Sequence, residues 1–290
     1  MKIVQKETFG EVTAFKLGFS PMGPVMMCVY FYRIGHVMVD TGQSNMQKIV
    51  LDILKDTRPA HLLLTHYHED HSGNAAAIRQ KFGTRVCGHP LTAARMKQQS
   101  SILPYQHLIW GRSEPVMVHP VTEIIETGTH RFLPVHTPGH CTDHTVYLEP
   151  DCGWLFTGDL YLGDRIKFFR ADERISDQIA SLKTVLTLDF ESLFCSHRPR
   201  PQKGKMHIRR KLAFLEDVRG RVGCLLEKGY PENKILKKLS NGQARKEKWL
   251  TFGNVSHANI IRSAILSYKT PETERYQADN FFYPVFNGWK

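Results

Sequence analysis

Apolar and polar residues alternate in short β-like runs near the start of the chain and then interleave with helical patterns. Val12–Leu17, Val25–Tyr32 and His36–Val39 are rich in β-branched and aromatic residues and read as strands. Asp40-Thr41-Gly42 closes this set as a turn. Asn45–Lys55 places Met46, Ile49, Val50, Ile53 and Leu54 on one face of a helix. His61–Thr65 is a short apolar run leading into a polar loop, the pattern of a buried strand. Ala75–Phe82 and Leu91–Gln98 read as helices on either side of a strand at Arg85–Gly88. Residues 99–120 hold Pro104, Pro115 and Pro120 and read as an irregular insertion. Strands resume at Phe132–His136, Thr145–Leu148, Trp154–Thr157 and Leu193–Cys195. Between the last two, Ser176–Leu188 reads as a helix with Ser176 as its N-cap.

From about residue 204 the pattern becomes helical. Met206–Lys228 carries Ile208, Leu212, Leu215, Val218, Val222, Leu225 and Leu226 at helical spacing, and Gly229 and Pro231 close it. Asn233–Leu239 and Val255–Ser267 read as two further helices. The end is aromatic, with Phe281, Phe282, Tyr283, Phe286 and Trp289. Such a tail is expected to pack on the domain or on a second copy of the chain, so a homodimer is an expectation. The division expected is an α/β domain over residues 1–203 and a helical segment over 204–290 packing on it.

Composition changes this picture little. Of 290 residues, 41% are hydrophobic and 23% charged, enough apolar content for a sizeable core. No apolar run approaches the ~18 residues that cross a bilayer, so no membrane partner is expected. MKIVQKETFG lacks the apolar stretch of a secretory signal. The six cysteines form no CxxC pair and no regular framework, so they are expected to be reduced, mostly buried thiols in a cytoplasmic protein. The formal net charge of +11 is unevenly placed: residues 198–270 hold 18 Lys and Arg against 5 Asp and Glu. That asymmetry fits either solvated helix faces or a nucleic-acid partner.

The chemistry concentrates in one loop. His66-Tyr67-His68-Glu69-Asp70-His71 follows the apolar run at His61–Thr65. His66 and His68, two apart in extended chain, point to one side and can share a metal ion. Asp70 and His71 follow on a turning chain and can face a neighbouring site. Imidazole suits zinc, and carboxylate adds a harder, charge-neutralising ligand. One loop cannot complete two sites. Three later segments have the right form: Pro138-Gly139-His140, Thr157-Gly158-Asp159 and Cys195-Ser196-His197 each put a ligand-type residue just past an apolar run.

Taken in order, HxHxDH, PGH, TGD and the late histidine resemble the metallo-β-lactamase superfamily, as does Val39-Asp40-Thr41-Gly42 before them. The resemblance covers roughly residues 10–200. It implies an α/β fold, an αββα sandwich, here with a C-terminal helical extension. It implies two metal ions, Zn2+ with Fe or Mn as alternatives. Carried over by position, His66, His68 and His140 would bind one ion, Asp70, His71 and His197 the other, and Asp159 would bridge them. Asp40 would orient the site through hydrogen bonds. The chain departs from the family pattern in having Ser196 where glycine is frequent, and His140-Cys141-Thr142-Asp143-His144 where HTxGS is frequent. Neither departure removes a ligand, and His144 is expected to support or pack against the site.

Two metal ions about 3.5–4 Å apart acidify a shared water towards a pKa of ~7, giving a hydroxide nucleophile. The expectation is therefore a dinuclear hydrolase attacking the carbonyl of a small thioester, lactone or ester, with Asp70, Asp159 and Tyr161 as candidate catalytic residues. The Tyr161 phenol would reach the substrate oxygen, or else pack at a strand end. The segment Thr65–Asn74 resembles glyoxalase II and related hydrolases. GxSxG and GxxxxGK[ST] are absent, which disfavours serine-hydrolase and NTPase chemistry. Phosphodiester hydrolysis of RNA or DNA is the alternative that the basic segment suggests. A mononuclear iron persulfide dioxygenase is another, since the same motif supports it. His68, in place of the glutamate of the flavin-coupled di-iron branch, disfavours that branch.

Overall fold

The computed structural model describes residues 1–99, 101–239 and 251–269. The aromatic tail after residue 269 lies outside them.

Seven strands form one sheet in chain order. They are β1 (Lys2–Phe9), β2 (Val12–Phe19), β3 (Cys28–Ile34), β4 (Val37–Val39), β5 (His61–Leu63), β6 (Arg85–Gly88) and β7 (His119–Pro120). Pairing is antiparallel from β1 to β4 and parallel from β4 to β7. Helices α1 (Gln47–Ile53), α2 (Glu69–Ser72), α3 (Ala75–Phe82), α4 (Pro90–Arg95) and α5 (Pro104–Ile109) lie in its connections. The second sheet takes β8 (Ile125–Glu126), β9 (Arg131–His136), β10 (Thr145–Glu149), β11 (Trp154–Gly158) and β13 (Ser192–Cys195), in the order β13-β11-β10-β9-β8. A small ribbon pairs β12 (Phe169–Arg170) with β14 (Val255–Ser256). Helices α6 (Ile175–Leu186), α7 (Gly204–Glu227), α8 (Glu232–Leu239) and α9 (His257–Lys269) complete the fold.

Strand alternation sorts the apolar residues into layers. Val12, Ala14, Tyr30, Tyr32, Val37 and Val39 face Tyr147, Phe156 and Phe194 across the gap between the sheets. The intervening Phe15, Leu17, Phe31 and Met38 face outward and pack with Val50 of α1 and Ile78 of α3. On the second sheet Val146, Leu155 and Leu193 face outward and share one cluster with Ile179, Ile208, Leu215, Ile235 and Ile261 of α6 to α9. Helices thus cover both outer faces, giving the αββα sandwich with its helical C-terminal part. The sheets are also stitched by polar bonds, since Tyr32 donates to the Cys195 carbonyl and Tyr147 to that of Leu64.

Several local expectations are corrected. β1 reads weakly in sequence because it is an exposed edge strand with no buried residue. Val25–Met27 lies outside β3, and residues 99–120 contain α5 and β7 besides irregular chain. Ser176 is not an N-cap: α6 begins at Ile175, and the Ser176 hydroxyl donates to Asp177 instead. Val255 belongs to β14, so the last described helix begins at His257. Cys87, Cys141 and Cys195 are buried and all six thiols are free, but Cys152 and Cys224 are exposed. Among the described residues no helix is long and apolar enough to cross a membrane.

Candidate metal centre

The residues singled out by motif meet where strands of both sheets end. Asp40 follows β4, the His66–His71 loop follows β5, His140 follows β9, Asp159 follows β11 and His197 follows β13. Each sits just past its strand because the turn there reverses the chain at the edge of the sandwich. Two glycines allow this. Gly139 has φ +128° and packs so close to α6 that a Cβ would lie 2.4 Å from the Gln178 nitrogen. Gly158 has φ +46°, and a Cβ there would lie 2.7 Å from Thr65 Oγ1 and 2.9 Å from His144 Nε2.

The donor atoms fall into two groups. His68 Nδ1 lies 2.9 Å from His66 Nε2 and 3.0 Å from His140 Nε2. Asp70 Oδ2 lies 3.6 Å from His71 Nε2 and 3.7 Å from His197 Nε2. Asp159 stands between them. Its Oδ2 is 3.5 Å from His140 Nε2, and its Oδ1 is 3.4 Å from Nε2 of both His71 and His197. His71 Nε2 and Asp159 Oδ1 are buried and have no hydrogen-bond partner. Buried polar atoms are seldom left so, and a cation facing both atoms satisfies them. The donor set of imidazole and carboxylate fits zinc or iron. Cys141 lies within reach of His66 and His68, so a thiol stands beside the first group.

Three of these rings are held from their far side, while His68 Nε2 and His140 Nδ1 have no hydrogen-bond partner. Asp40 Oδ2 accepts from His71 Nδ1 at 2.8 Å, leaving the Nε2 lone pair facing inward. Thr65 Oγ1 donates to Asp40 and accepts from the His66 Nδ1–H at 3.0 Å. The Cys28 carbonyl accepts from His197 Nδ1 at 2.7 Å, and Glu173 Oε2 lies 3.5 Å from His140 Nδ1. His144 accepts from the Asp159 backbone N–H at 3.1 Å through Nε2, while its Nδ1 binds Thr137. His144 therefore fixes the chain that carries Asp159. Asp143 accepts from the Tyr67 N–H and from the Thr92 hydroxyl, anchoring the histidine loop. Sequence reasoning missed Asp143, which lies inside the His140–His144 segment but was given no role, and Glu173, which sits in no motif.

Electrostatics divide the same way. Burial, reinforced by neighbouring histidines, holds the His66 ring well below the ordinary histidine value. Burial, with Arg170 and His140 adding to it, does the same at His68. At His71 burial alone would lower the value, but Asp70, Asp159 and Asp40 outweigh it and raise it. His197 is likewise raised, Asp159 overcoming burial. Burial opposes the charge on Asp159, yet His71 and His197 hold its carboxyl well below the usual range.

Tyr161 is not brought to this group. Its ring lies in the outer cluster of the second sheet, and its hydroxyl donates to Asp164 Oδ1 at 2.6 Å, with His207 Nδ1 at 3.4 Å. The Tyr161 hydroxyl therefore faces Asp164 and His207 and not the two donor groups. Tyr67 and Glu69 also fall outside the two groups; Glu69 accepts from Gln106, and Tyr67 stacks under Arg95.

The sequence profile of the metallo-beta-lactamase superfamily matches residues 29–197, the span that contains every donor named above. A hydroxyacylglutathione hydrolase from Cereibacter sphaeroides is 30% identical over 183 residues, covering 63% of this chain and 58% of its own. The thioesterase pkgB of Emericella nidulans is 28% identical over 156 residues, covering 51% of this chain and 40% of its own. The chain thus spans about half the length of the curated relatives it matches. A metallo-beta-lactamase family protein from Thermus thermophilus superposes with a TM-score of 0.61 over 93% of this chain and 95% of that one. Its sequence identity is 16%, so this likeness speaks to the fold alone. With the profile matching more than half of its length, this chain belongs to the metallo-beta-lactamase superfamily.

Proposed function

We propose that the chain is a dinuclear metal-dependent hydrolase, with two Zn2+ ions or Fe or Mn in their place, that cleaves the acyl bond of a small thioester, lactone or ester. Asp159 carries this reading, because its two carboxylate oxygens address different histidine groups. His66, His68 and His140 with Oδ2 form one donor set; Asp70, His71 and His197 with Oδ1 form the other. Metal ions bound there supply an acidified water as nucleophile and Lewis acidity for the acyl oxygen.

The chain's own residues do the rest. Asp40, Thr65 and the Cys28 carbonyl hold three rings in the tautomer that points a lone pair inward. His144 holds the Asp159 backbone so that both oxygens stay divided between the sets. Asp70, at the edge of the second set, is placed to orient an incoming water and accept its proton. Similarity to proteins named as hydroxyacylglutathione hydrolase and thioesterase supports a thioester as first substrate class.

The test is metal analysis of the full chain with a panel of thioesters, lactones, esters and an aryl phosphodiester. Two metal equivalents are expected, with thioester or ester hydrolysis lost in His68→Ala and Asp159→Ala. Hydrolysis that survives both substitutions overturns the mechanism. A single iron with persulfide oxidation favours the dioxygenase.

One observation favours a second reading, phosphodiester hydrolysis of RNA or DNA. A cavity of about 970 Å³ is lined by Arg165, Arg198, Arg200, Arg210 and Arg221, against the acids Asp164 and Asp217. Arg198 directly follows His197 in the chain. Phosphate contacts make nucleic-acid affinity fall steeply with salt. RNA binding that is absent or insensitive to salt counts against this reading.

A further inference from the structure

Three of the His, Cys, Asp and Glu groupings among the described residues belong to the centre above; a fourth does not. It joins His130, Glu149 and Cys152, with one donor atom from each lying within 4.8 Å of the others. Glu149 ends β10, whose opposite end, Thr145, adjoins His144. Four residue steps of extended chain separate the two ends by roughly 13 Å, so this grouping stands apart from the Asp159 centre.

Its chemistry is unusual for a surface turn. Glu149 is 1% exposed, and among the described residues no Lys or Arg pairs with it. The nearby Arg131 is committed to Asp151, with bonds of 2.7 and 2.9 Å. What meets the buried carboxylate is the Cys152 N–H at 2.7 Å on Oε2 and the His130 ring, whose Nδ1 is 3.4 Å from Oε1. A buried carboxylate without a full positive partner is costly. On the far side of the ring, His130 Nε2 lies 3.5 Å from Glu11 Oε2. If that nitrogen carries the proton, the Nδ1 lone pair faces Glu149 and the cysteine. That is the carboxylate–histidine arrangement that orients metal-binding imidazoles. Cys152 is exposed, so an ion can approach from solvent.

We propose that His130 Nδ1, a Glu149 carboxylate oxygen and Cys152 Sγ form a separate binding site for a zinc-class divalent cation, with Glu11 orienting the ring. Zinc bond lengths to N, O and S place neighbouring ligand atoms about 3.4–3.6 Å apart in a tetrahedron. The His130–Glu149 separation already has this value, and the sulfur is the atom that closes in. Water takes the fourth position. Burial and the adjacent Glu149 push the Cys152 thiol up to about 11. Binding therefore displaces the thiol proton, which leaves to solvent, while the imidazole and carboxylate bind as they are. The competing arrangement is a His130 imidazolium held between Glu11 and Glu149 with no metal at all.

The two are separated by alkylation. The full chain is stripped with chelator, then treated with iodoacetamide with and without added Zn2+, and modification of each cysteine is read by peptide mass spectrometry. Cys224, also exposed, serves as the internal control. Zinc is expected to slow alkylation of Cys152 at least tenfold and to leave Cys224 unchanged. The protection is expected to vanish in His130→Asn and to weaken several-fold in Glu11→Gln, which changes only an exposed side chain. Asp159→Ala is expected to keep it, which separates this site from the proposed active centre. Equal Cys152 alkylation with and without zinc overturns the proposal, as does protection that persists in a folded His130→Asn protein.

Discussion

Asp40→Asn isolates the hydrogen-bond scaffold from the donor atoms. Asp40 has φ +58°, a conformation asparagine also tolerates, and it is 1% exposed, so the exchange keeps shape and backbone. Asparagine Oδ1 can still accept from the Thr65 N–H, which bonds Asp40 Oδ1 at 2.8 Å. What changes is the atom 2.8 Å from His71 Nδ1, where an amide N–H replaces a carboxylate oxygen; the Thr65 hydroxyl, which also donates to that oxygen, can donate instead to the retained Oδ1 at 3.0 Å and so keep its hold on His66. The ring is then favoured with its proton on Nε2, the nitrogen that would bind metal. Removing such a supporting partner costs about 10–100-fold in metal affinity, or about 1.4–2.8 kcal/mol. The loss should fall on the set of Asp70, His71 and His197 and spare the set of His66, His68 and His140. Competition against a chromophoric chelator resolves the two affinities. One equivalent weakened at least tenfold, the other within threefold of the parent, is the expected result. Two unaltered affinities would refute the tautomer argument.

Three further outcomes are expected. Tyr161→Phe should leave kcat and KM within about threefold while losing one hydrogen bond to a carboxylate, about 1.5–3 kcal/mol at most, read in a urea melt; a hundredfold fall in kcat would restore the phenol to the reaction. In chelated protein, the Tm should fall as pH drops below about 6.5, the ordinary histidine value. The depressed values of His66, His68 and His144 mean that the unfolded chain takes up protons there first. The raised His71 and His197 act oppositely and mainly above that pH, so a flat profile from 6.5 to 5 contradicts these assignments. Lys211 is buried in α7, donates to the Leu160 carbonyl, and is pushed down to about 8 by burial. Between pH 8 and 10.5 the unfolded lysine holds the extra proton, so the protein should gain about 3 kcal/mol across that interval. Lys211→Met should lack this gain, and parallel stability profiles for the two proteins would refute the lowered value of the buried lysine.

The candidate donors were legible because each lies within a short motif at the end of an apolar run, and strand ends of one sandwich share an edge. His144 was legible as a neighbour, from its position in the same motif as His140. Asp143 and Glu173 were not, because their work depends on meeting Thr92 and the His140 ring from elsewhere in the chain. Tyr161 shows the opposite failure: proximity in sequence to Asp159 places it in the next layer, where Asp164 claims its hydroxyl. Edge elements were hard for a related reason. β1 buries no side chain, and β7 is two residues long, so neither carries a strong hydrophobic period. α6 starts at Ile175 without a side-chain cap, and no N-cap residue could have marked that boundary.

The outer cluster of the second sheet bears on how this chain can be divided for study. Hydropathy alone suggests a cut near residue 203, before the basic helices. Ile208, Leu215 and Val222 of α7 and Ile260, Ile261, Ala264 and Ile265 of α9 are almost wholly withdrawn from water against Val146, Leu155 and Leu193. A fragment ending at that cut would expose a greasy wall directly behind the strands that deliver Asp159 and His197. It should emerge as an aggregating product with few intact metal sites, while a fragment that keeps α7 to α9 should stay in solution.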